Sequence, residues 1–429
     1  MTTEIQERLM NSVARQGYRV TIGDVASDVG LPLEQARREL NLMASQAGGS
    51  LQVAQSGEIA YQFTAQWREV LNQKLQDAQW QEFLKKLKKT ALYLGRISFG
   101  VALILSLIVI AVALFALSTA TNRDDRDNRS GPSFNFGGMY WLWYGFNPYG
   151  YFYYGAEPEL ERRRRYEQGQ PVGFLEGVFS FLFGDGDPNS DLEERRWQLV
   201  GRTIRSNGGV VTAEQVAPFL DAPYDEREDY MLPVLVKFDG QPQVSETGDL
   251  VYVFPQLQVS AAGTGSRVST GYLEEKPVEF SKAPAGTLTL AGALGVANIL
   301  GAGFLWLQLQ RFEALDPTFL NRAGLSWISI VTPVLLIYGT LFLLVPTVRY
   351  FLLGSKNAQI SARNGLRRDQ SVYLSRPTPK LREKLVFAQQ FATRLVLGKE
   401  DTIYDTRKSI LDQKDLDAED FERRLRENS

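Results

Sequence analysis

The sequence predicts a mostly α-helical membrane protein carrying two winged-helix-like α+β soluble domains. Three observations carry that expectation. Three runs are long and apolar, two water-soluble stretches match each other at a constant offset, and each stretch reads as helices followed by a two-stranded hairpin.

Composition narrows the chemistry first. The 429 residues contain no cysteine and no histidine, with a formal charge of −2. Iron–sulfur and structural zinc sites need thiolate or imidazole ligands, so both are excluded. Cysteine nucleophiles and Ser–His–Asp triads are excluded as well. No disulfide framework can form, and no cofactor is expected. The start Met1-Thr-Thr-Glu-Ile-Gln-Glu-Arg8 lacks a basic region leading into an apolar core, so no secretory signal is expected there.

Residues 1–71 form the first soluble domain. Thr21 stands where an N-cap belongs, before a short helix holding Val25 and Ala26. Gly30-Leu31-Pro32 ends that helix. The next opens near Pro32, where proline suits a first turn, and presents Ala36, Leu40 and Met43 on one face. Gly48-Gly49 closes it. Leu51–Val53 and Ile59–Phe63 then alternate around Ser56-Gly57, a hairpin signature.

Residues 192–258 repeat the pattern. Thr21 matches Thr212, Val25 matches Val216 and Tyr61 matches Tyr252, each offset by 191 (212 − 21, 216 − 25, 252 − 61). Gly17 and Gly208, Val13 and Ile204, and Val53 and Val244 obey the same offset. The succession resembles the winged helix-turn-helix class in its spacing. Duplex binding depends on Lys and Arg that neutralise phosphates. The first copy, Thr3–Leu71, instead has six Arg against eight acids, and the second, Leu192–Gln258, five Arg and one Lys against eleven. Its stretch Asp225-Glu-Arg-Glu-Asp229 would repel phosphate. The charge count therefore points to a protein partner rather than nucleic acid.

Between the copies, 72–91 is a basic juxtamembrane helix, and 92–119 is the first span, with an unbroken apolar run Val101–Leu117. Runs of about 18 or more apolar residues suit a transmembrane helix. Residues 287–309 are the second span, rich in Gly and Ala, with Asn298 read as interhelical glue. Residues 327–353 are the third, with Pro333 and Pro346 near its ends. A linker, 259–286, precedes the second span.

Lysine and arginine set the expected orientation. Lys85, Lys86, Lys88 and Lys89 before the first span, and Arg367 and Arg368 after the third, act as topology anchors. They hold the N-terminus and the C-terminus on the cytoplasmic face, and four arginines in a row, Arg162–Arg165, place the middle domain there too. Three crossings cannot satisfy that, so 120–191 is expected to hug the membrane or to re-enter and cross it. In Phe134–Tyr154, 12 of 21 residues are aromatic. Tyr140, Trp141, Trp143, Tyr144, Tyr149 and Tyr153 are its interface candidates. Val172–Phe183, apolar except for Glu176, is too short to span as a helix.

Asp185, Asp187, Asn189 and Asp191 alternate as in a calcium loop. An EF-hand loop wants Gly at its sixth position and Glu at its twelfth, and here those are Ser190 and Arg196. The favoured reading is a turn whose carboxylates cap the helix beginning near Leu192, with no metal. Residues 354–429 read as a charged, helical tail in which Leu385, Phe387, Ala388, Phe391 and Leu395 lie on the membrane or on the soluble domains, and Lys399–Ser429 is solvated.

Gly184-Asp-Gly-Asp-Pro-Asn189, Glu193-Glu-Arg-Arg-Trp197 and Ala213-Glu-Gln-Val-Ala-Pro-Phe-Leu-Asp221 resemble a family of membrane proteins of cyanobacteria and plant chloroplasts. Plant members carry an iron–sulfur cluster biosynthesis label. The resemblance implies a thylakoid or plasma membrane of a cyanobacterium and brings no catalytic residues. The leading expectation is a non-enzymatic membrane scaffold or assembly factor. Its paired domains would dock a protein partner such as a photosynthetic complex, a translocon or a ribosome. The alternatives are a membrane-tethered nucleic-acid-binding regulator, and a transporter subunit or carboxylate-based membrane enzyme.

Overall fold

The computed structural model describes residues 2–64, 78–124, 173–221, 228–261, 271–398 and 401–407. The chain order is α1 (Thr2–Arg15), β1 (Arg19–Val20), α2 (Ile22–Val29), α3 (Leu33–Ala47), β2 (Ser50–Ala54), β3 (Ile59–Gln62), α4 (Ala78–Asp124), α5 (Phe174–Phe183), α6 (Leu192–Ser206), β4 (Val210–Val211), α7 (Ala213–Val216), α8 (Leu232–Phe238), β5 (Gln241–Val244), β6 (Leu250–Val253), α9 (Pro255–Gln258), β7 (Val259–Ser260), α10 (Ala285–Leu315), α11 (Phe319–Arg322), α12 (Ser326–Ser375), α13 (Pro379–Gln389), β8 (Leu395–Val396) and β9 (Thr402–Asp405). The protein is mostly helical with small sheets. It divides into two compact units. One holds Met1–Asp77, Pro188–Pro277 and Gln359–Ser429, and the other Ala78–Asp187 and Val278–Ala358.

In the first unit, α2 starts as its sequence dictates. The Thr21 side chain accepts from the Asp24 amide, and Asp24 accepts from the Thr21 amide, closing a capping box. At α7 only half of that arrangement forms, the Gln215 side chain accepting from the Thr212 amide at 2.9 Å. β3 pairs with β1 and β2, and β6 pairs with β4 and β5, all antiparallel. Arg19 faces Gln62 and Val210 faces Val253; Val53 faces Ile59 and Val244 faces Leu250. Each middle pair follows its N-terminal counterpart by 191 residues (210 − 19, 253 − 62). Core residues do likewise. Leu9, Val13, Val20, Val25, Met43, Tyr61 and Phe63 are buried in one cluster, and Val200, Ile204, Val211, Val216, Val234, Tyr252 and Phe254 in another.

Two C-terminal expectations are corrected here. The tail is helical only through α13. β8 pairs in parallel with β7, and β9, inside the stretch expected to be solvated, pairs with β2. Leucine and valine at 395–396 and the β-favouring Thr402-Ile-Tyr404 take strand partners that no local pattern announces. The helix α13 lies on the middle sheet, where Ala388 packs with Val210 and Val251. The stretch 259–286 is more than a linker, since it supplies β7 and sends Leu273, 1% exposed, into the middle core.

The second unit holds α4, α5, α10, α11 and the first part of α12. Three helices are long and apolar enough to cross a membrane, over Ile97–Ala120, Ala285–Leu315 and Ser326–Ser375. The second and third overrun the expected spans, because helical sequence continues past the apolar core; α12 keeps Pro333 and Pro346 inside it. The ten-residue α5 is buried among them, with Phe174, Val178 and Leu182 against Leu103, Ala291, Leu294 and Phe342. Asn298, fully buried, donates to Ser106 Oγ, whose hydroxyl donates to Leu103 O at 2.7 Å. A Cβ at Gly339 would stand 2.6 Å from Asn298 Oδ1, so glycine permits that approach. Arg349 closes the end of α5 by donating to Ser180 O and Phe181 O at 3.1 and 2.9 Å, and its guanidinium lies 4.3 Å over the Phe280 ring.

Candidate functional site

The helix α8 has more apolar sequence than one face can bury. Pro233 occupies its first turn, and the chain leaves it through Asp239 in the left-handed region. Val234 and Phe238 fill the middle core with zero exposure. Leu232 and Val236, four residues apart, face solvent at 65% and 80% exposure, with Pro233 between them also exposed. Val244 on β5 adds a fourth exposed apolar side chain at 63%. Asp229, Asp239 and Glu246 are exposed in the same segment. The equivalent positions on α3, 191 residues earlier, are Asn41, Leu42 and Ser45. An apolar helical stripe within an acidic segment is a surface suited to a protein partner.

Sequence reasoning missed this stripe. The acidic stretch 225–229, which the charge pattern singles out instead, lies mostly outside the described residues. The available signal was Leu232-Pro-Val-Leu-Val236, five consecutive apolar residues opening a seven-residue helix.

Beside the stripe, Lys237 lies 4.2 Å over the Trp197 ring. Burial pulls its ammonium down to about 8, against the carboxylate of Glu193, which favours the charge.

Three buried charge clusters hold the first unit together. At the α2–α6 contact, Asp24, fully buried, accepts from Arg205, from Ser260 Oγ at 2.9 Å and from the Ala261 amide at 2.9 Å. A Cβ on Gly201 would meet Ser27 Cα at 2.8 Å, so the helices touch there. On α13, Lys384 donates to Glu214 at 2.9 Å and Glu228 at 2.6 Å, and Tyr252 donates to Glu228 at 2.7 Å. Burial and the Glu228 carboxylate push the Tyr252 phenol well above its usual range. On α12, Arg363 grips Glu275 at 2.9 and 2.7 Å while Arg367 reaches Glu275 at 2.8 Å, Leu273 O at 2.9 Å, and Asp221. The Arg363 hydrogen bonds, opposed by burial and reinforced by Arg367, hold the Glu275 carboxyl below its usual range.

Arg367, expected as a basic anchor flanking a span, is thus 1% exposed and paired inside the protein, whereas Arg368 is exposed. Lys85, Lys86, Lys88 and Lys89 fall on α4. Tyr140, Trp141, Trp143, Tyr144, Tyr149 and Tyr153 lie outside the described residues.

The four residues of the calcium-like loop each have separate protein partners. Asp185 accepts from Ser180 Oγ and from the Lys282 amide, both at 2.7 Å, and Asp187 pairs with Lys356 at 3.6 Å. The Asn189 amide brackets the Lys276 backbone at 2.7 and 2.8 Å, and Asp191 pairs with Arg195 at 3.2 Å. Asp191 occupies the cap position of α6, but its side chain makes no capping bond, which corrects that expectation. The carboxylate prefers a guanidinium one turn along. Among the described residues no group of three or more Asp and Glu could hold a metal ion.

The architecture is a mostly helical protein with three helices long and apolar enough to cross a membrane and a second unit assembled from three separate stretches of chain. It is 35% identical over 445 residues to the chloroplastic protein At5g03900 of Arabidopsis thaliana, an alignment covering 100% of this chain and 83% of the plant protein. The chain belongs to the family of that plant protein. No protein-family model and no solved structure matches it.

Proposed function

We propose that the chain is a non-enzymatic scaffold or assembly factor of a photosynthetic membrane, docking a protein partner through the exposed stripe of α8. The observation that carries this reading is Leu232, Pro233 and Val236 standing in solvent within an acidic segment. The partner is a protein surface with an apolar side chain flanked by basic residues. Acidic residues around the stripe disfavour both anionic lipid and duplex DNA. The chloroplastic relative supports the photosynthetic setting.

On this reading the N-terminal and middle segments are two copies of one winged-helix-like unit, adapted to protein contact. The shared 191-residue offset of registers and core residues supports it. It also has the N-terminal, middle and C-terminal stretches on the cytoplasmic or stromal face. The β2–β9 pairing, the buried Asp24–Arg205 pair and the β7–β8 pairing support a common side, since hydrogen-bonded strands cannot be parted by a bilayer. An even number of crossings then separates Asp77 from Pro188.

A photo-crosslinking residue at Val236, introduced into the full chain in native membranes, tests the docking. A discrete adduct that disappears with Leu232→Ser, and is absent when the probe stands at Asn41, is expected. Adducts of the same pattern from both positions overturn the reading. Because the chain has no native cysteine, single cysteines at Glu58, Glu246 and Asp405 report sidedness without background. All three should label from one face.

A further inference from the structure

We infer that the outer edge of β2 is a strand-acceptor site for an extended polypeptide segment bearing a carboxylate opposite Gln52, and that β9 is its internal occupant. The site lies on a different surface from α8 and stands or falls independently of that docking face.

The hydrogen-bond pattern defines the acceptor. Ala54 donates inward to Glu58 O at 2.9 Å, whereas Gln55 donates outward to Asp401 O at 2.9 Å and Leu51 outward to Thr406 Oγ1 at 3.0 Å. Alternation along an antiparallel strand turns the Val53 amide outward too, towards its partner Tyr404. The matching edge of the middle sheet is built differently. Pro242, 191 residues after Leu51, removes the donor at that position, and β5 ends the order β4-β6-β5 among the described residues. Proline is a standard means of closing an exposed edge. One edge is therefore shut by its own sequence, while the other keeps its donors and has a strand laid on it.

That strand is held in a way that permits exchange. Ile403 and Tyr404 remain 51% and 42% exposed, so β9 contributes little apolar burial. The buried anchor of this stretch is Leu397, 2% exposed, which lies before β9 and packs with Ala54, Ala60 and Val259. The hold on β9 is main-chain pairing plus polar contacts, terms that any extended segment of suitable pattern reproduces. Selectivity comes from one relay. Arg19 Nε donates to Gln52 Oε1 at 2.9 Å, which directs Gln52 Nε2 to the Asp405 carboxylate at 3.0 Å. A ligand strand needs an acid at that register position.

The test uses the full chain in detergent and a fluorescent peptide with the sequence of residues 399–409. A chain ending at Gly398 should bind it saturably, at least tenfold tighter than the full chain. Tyr404→Pro in the full chain, which strips a β9 donor while retaining the rest of the tail, should raise binding in the same direction. An oxidised Val53→Cys/Tyr404→Cys chain should bind none and recover on reduction. A peptide with the Asp405→Lys change should bind at least tenfold more weakly. No saturable binding to either loosened chain, with circular dichroism unchanged, overturns the acceptor. Equal binding to the full and shortened chains overturns β9 as the occupant, and equal binding of the two peptides overturns the carboxylate requirement.

Discussion

The N-terminal and middle α/β segments bury corresponding positions but treat their borders differently. Val13 and Ile204, Tyr61 and Tyr252, and Phe63 and Phe254, each pair 191 residues apart, are buried in the two cores. At the borders the equivalence ends. Asp24 corresponds to Gln215, Asp28 to the buried Phe219, and Ala14 to Arg205 (each offset by 191). A core is constrained by volume and tolerates little change, whereas a surface is free to acquire a charge, a stripe or a proline once something new packs against it.

If the cores are equivalent, Phe63→Ala and Phe254→Ala should each cost roughly 3–5 kcal/mol, because both remove a fully buried ring. Urea unfolding of the full chain should give matching losses. A difference above about 2 kcal/mol would break the equivalence, given that similar cavities cost similar amounts.

Next in size is the charge that joins the segments. Arg205→Ala leaves the Asp24 carboxylate buried with its hydroxyl and amide donors only, and should cost about 3 kcal/mol. The double variant with Asp24→Asn should lose clearly less than the sum of the two single losses, read as a double-mutant cycle. Additive losses would mean that the segments are not locked at this point.

Acid should sharpen the contrast further. Burial raises the Asp28 carboxyl, but hydrogen bonds from Arg15 and Ser12 outweigh it and hold the group below its usual range. Its contribution is complete above the unfolded carboxylate range near ~4 and is lost as pH falls through the lower folded value. Hydrogen exchange should therefore show α1 and α2, together with the contact that Arg202 of α6 makes to Asp28, loosening before the turn around Phe219, which has nothing to titrate. Asp28→Asn should abolish that order.

The smallest effect falls on Lys237, whose counterpart is Gln46. A lysine lowered to about 8 binds fewer protons folded than unfolded. Its stabilisation is greatest above the unfolded range near ~10 and declines as pH falls through the folded value. The melting temperature relative to Lys237→Met should thus rise modestly between those limits.

Much of this was legible in the sequence. Thr21 announces a helix start by local hydrogen bonding, and Ser56-Gly57 announces a hairpin. The apolar runs announce the three helices long and apolar enough to cross a membrane, where backbone polar groups must pair within the helix itself. Missed were the exposed stripe of α8, whose residue types alone read as core, and β9, whose partner lies 353 residues away from Asp405 in Gln52.

By itself, then, the sequence determined the local elements, the apolar runs and the exclusion of thiol and imidazole chemistry, because each depends on residue identity or short spacing. The tertiary structure alone decided which carboxylate meets which guanidinium, which edge receives a strand and which apolar face stays in water. Those outcomes depend on segments brought together from opposite ends of the chain, so Arg367, a basic flank when read in sequence, becomes a buried ion pair with Asp221 and Glu275.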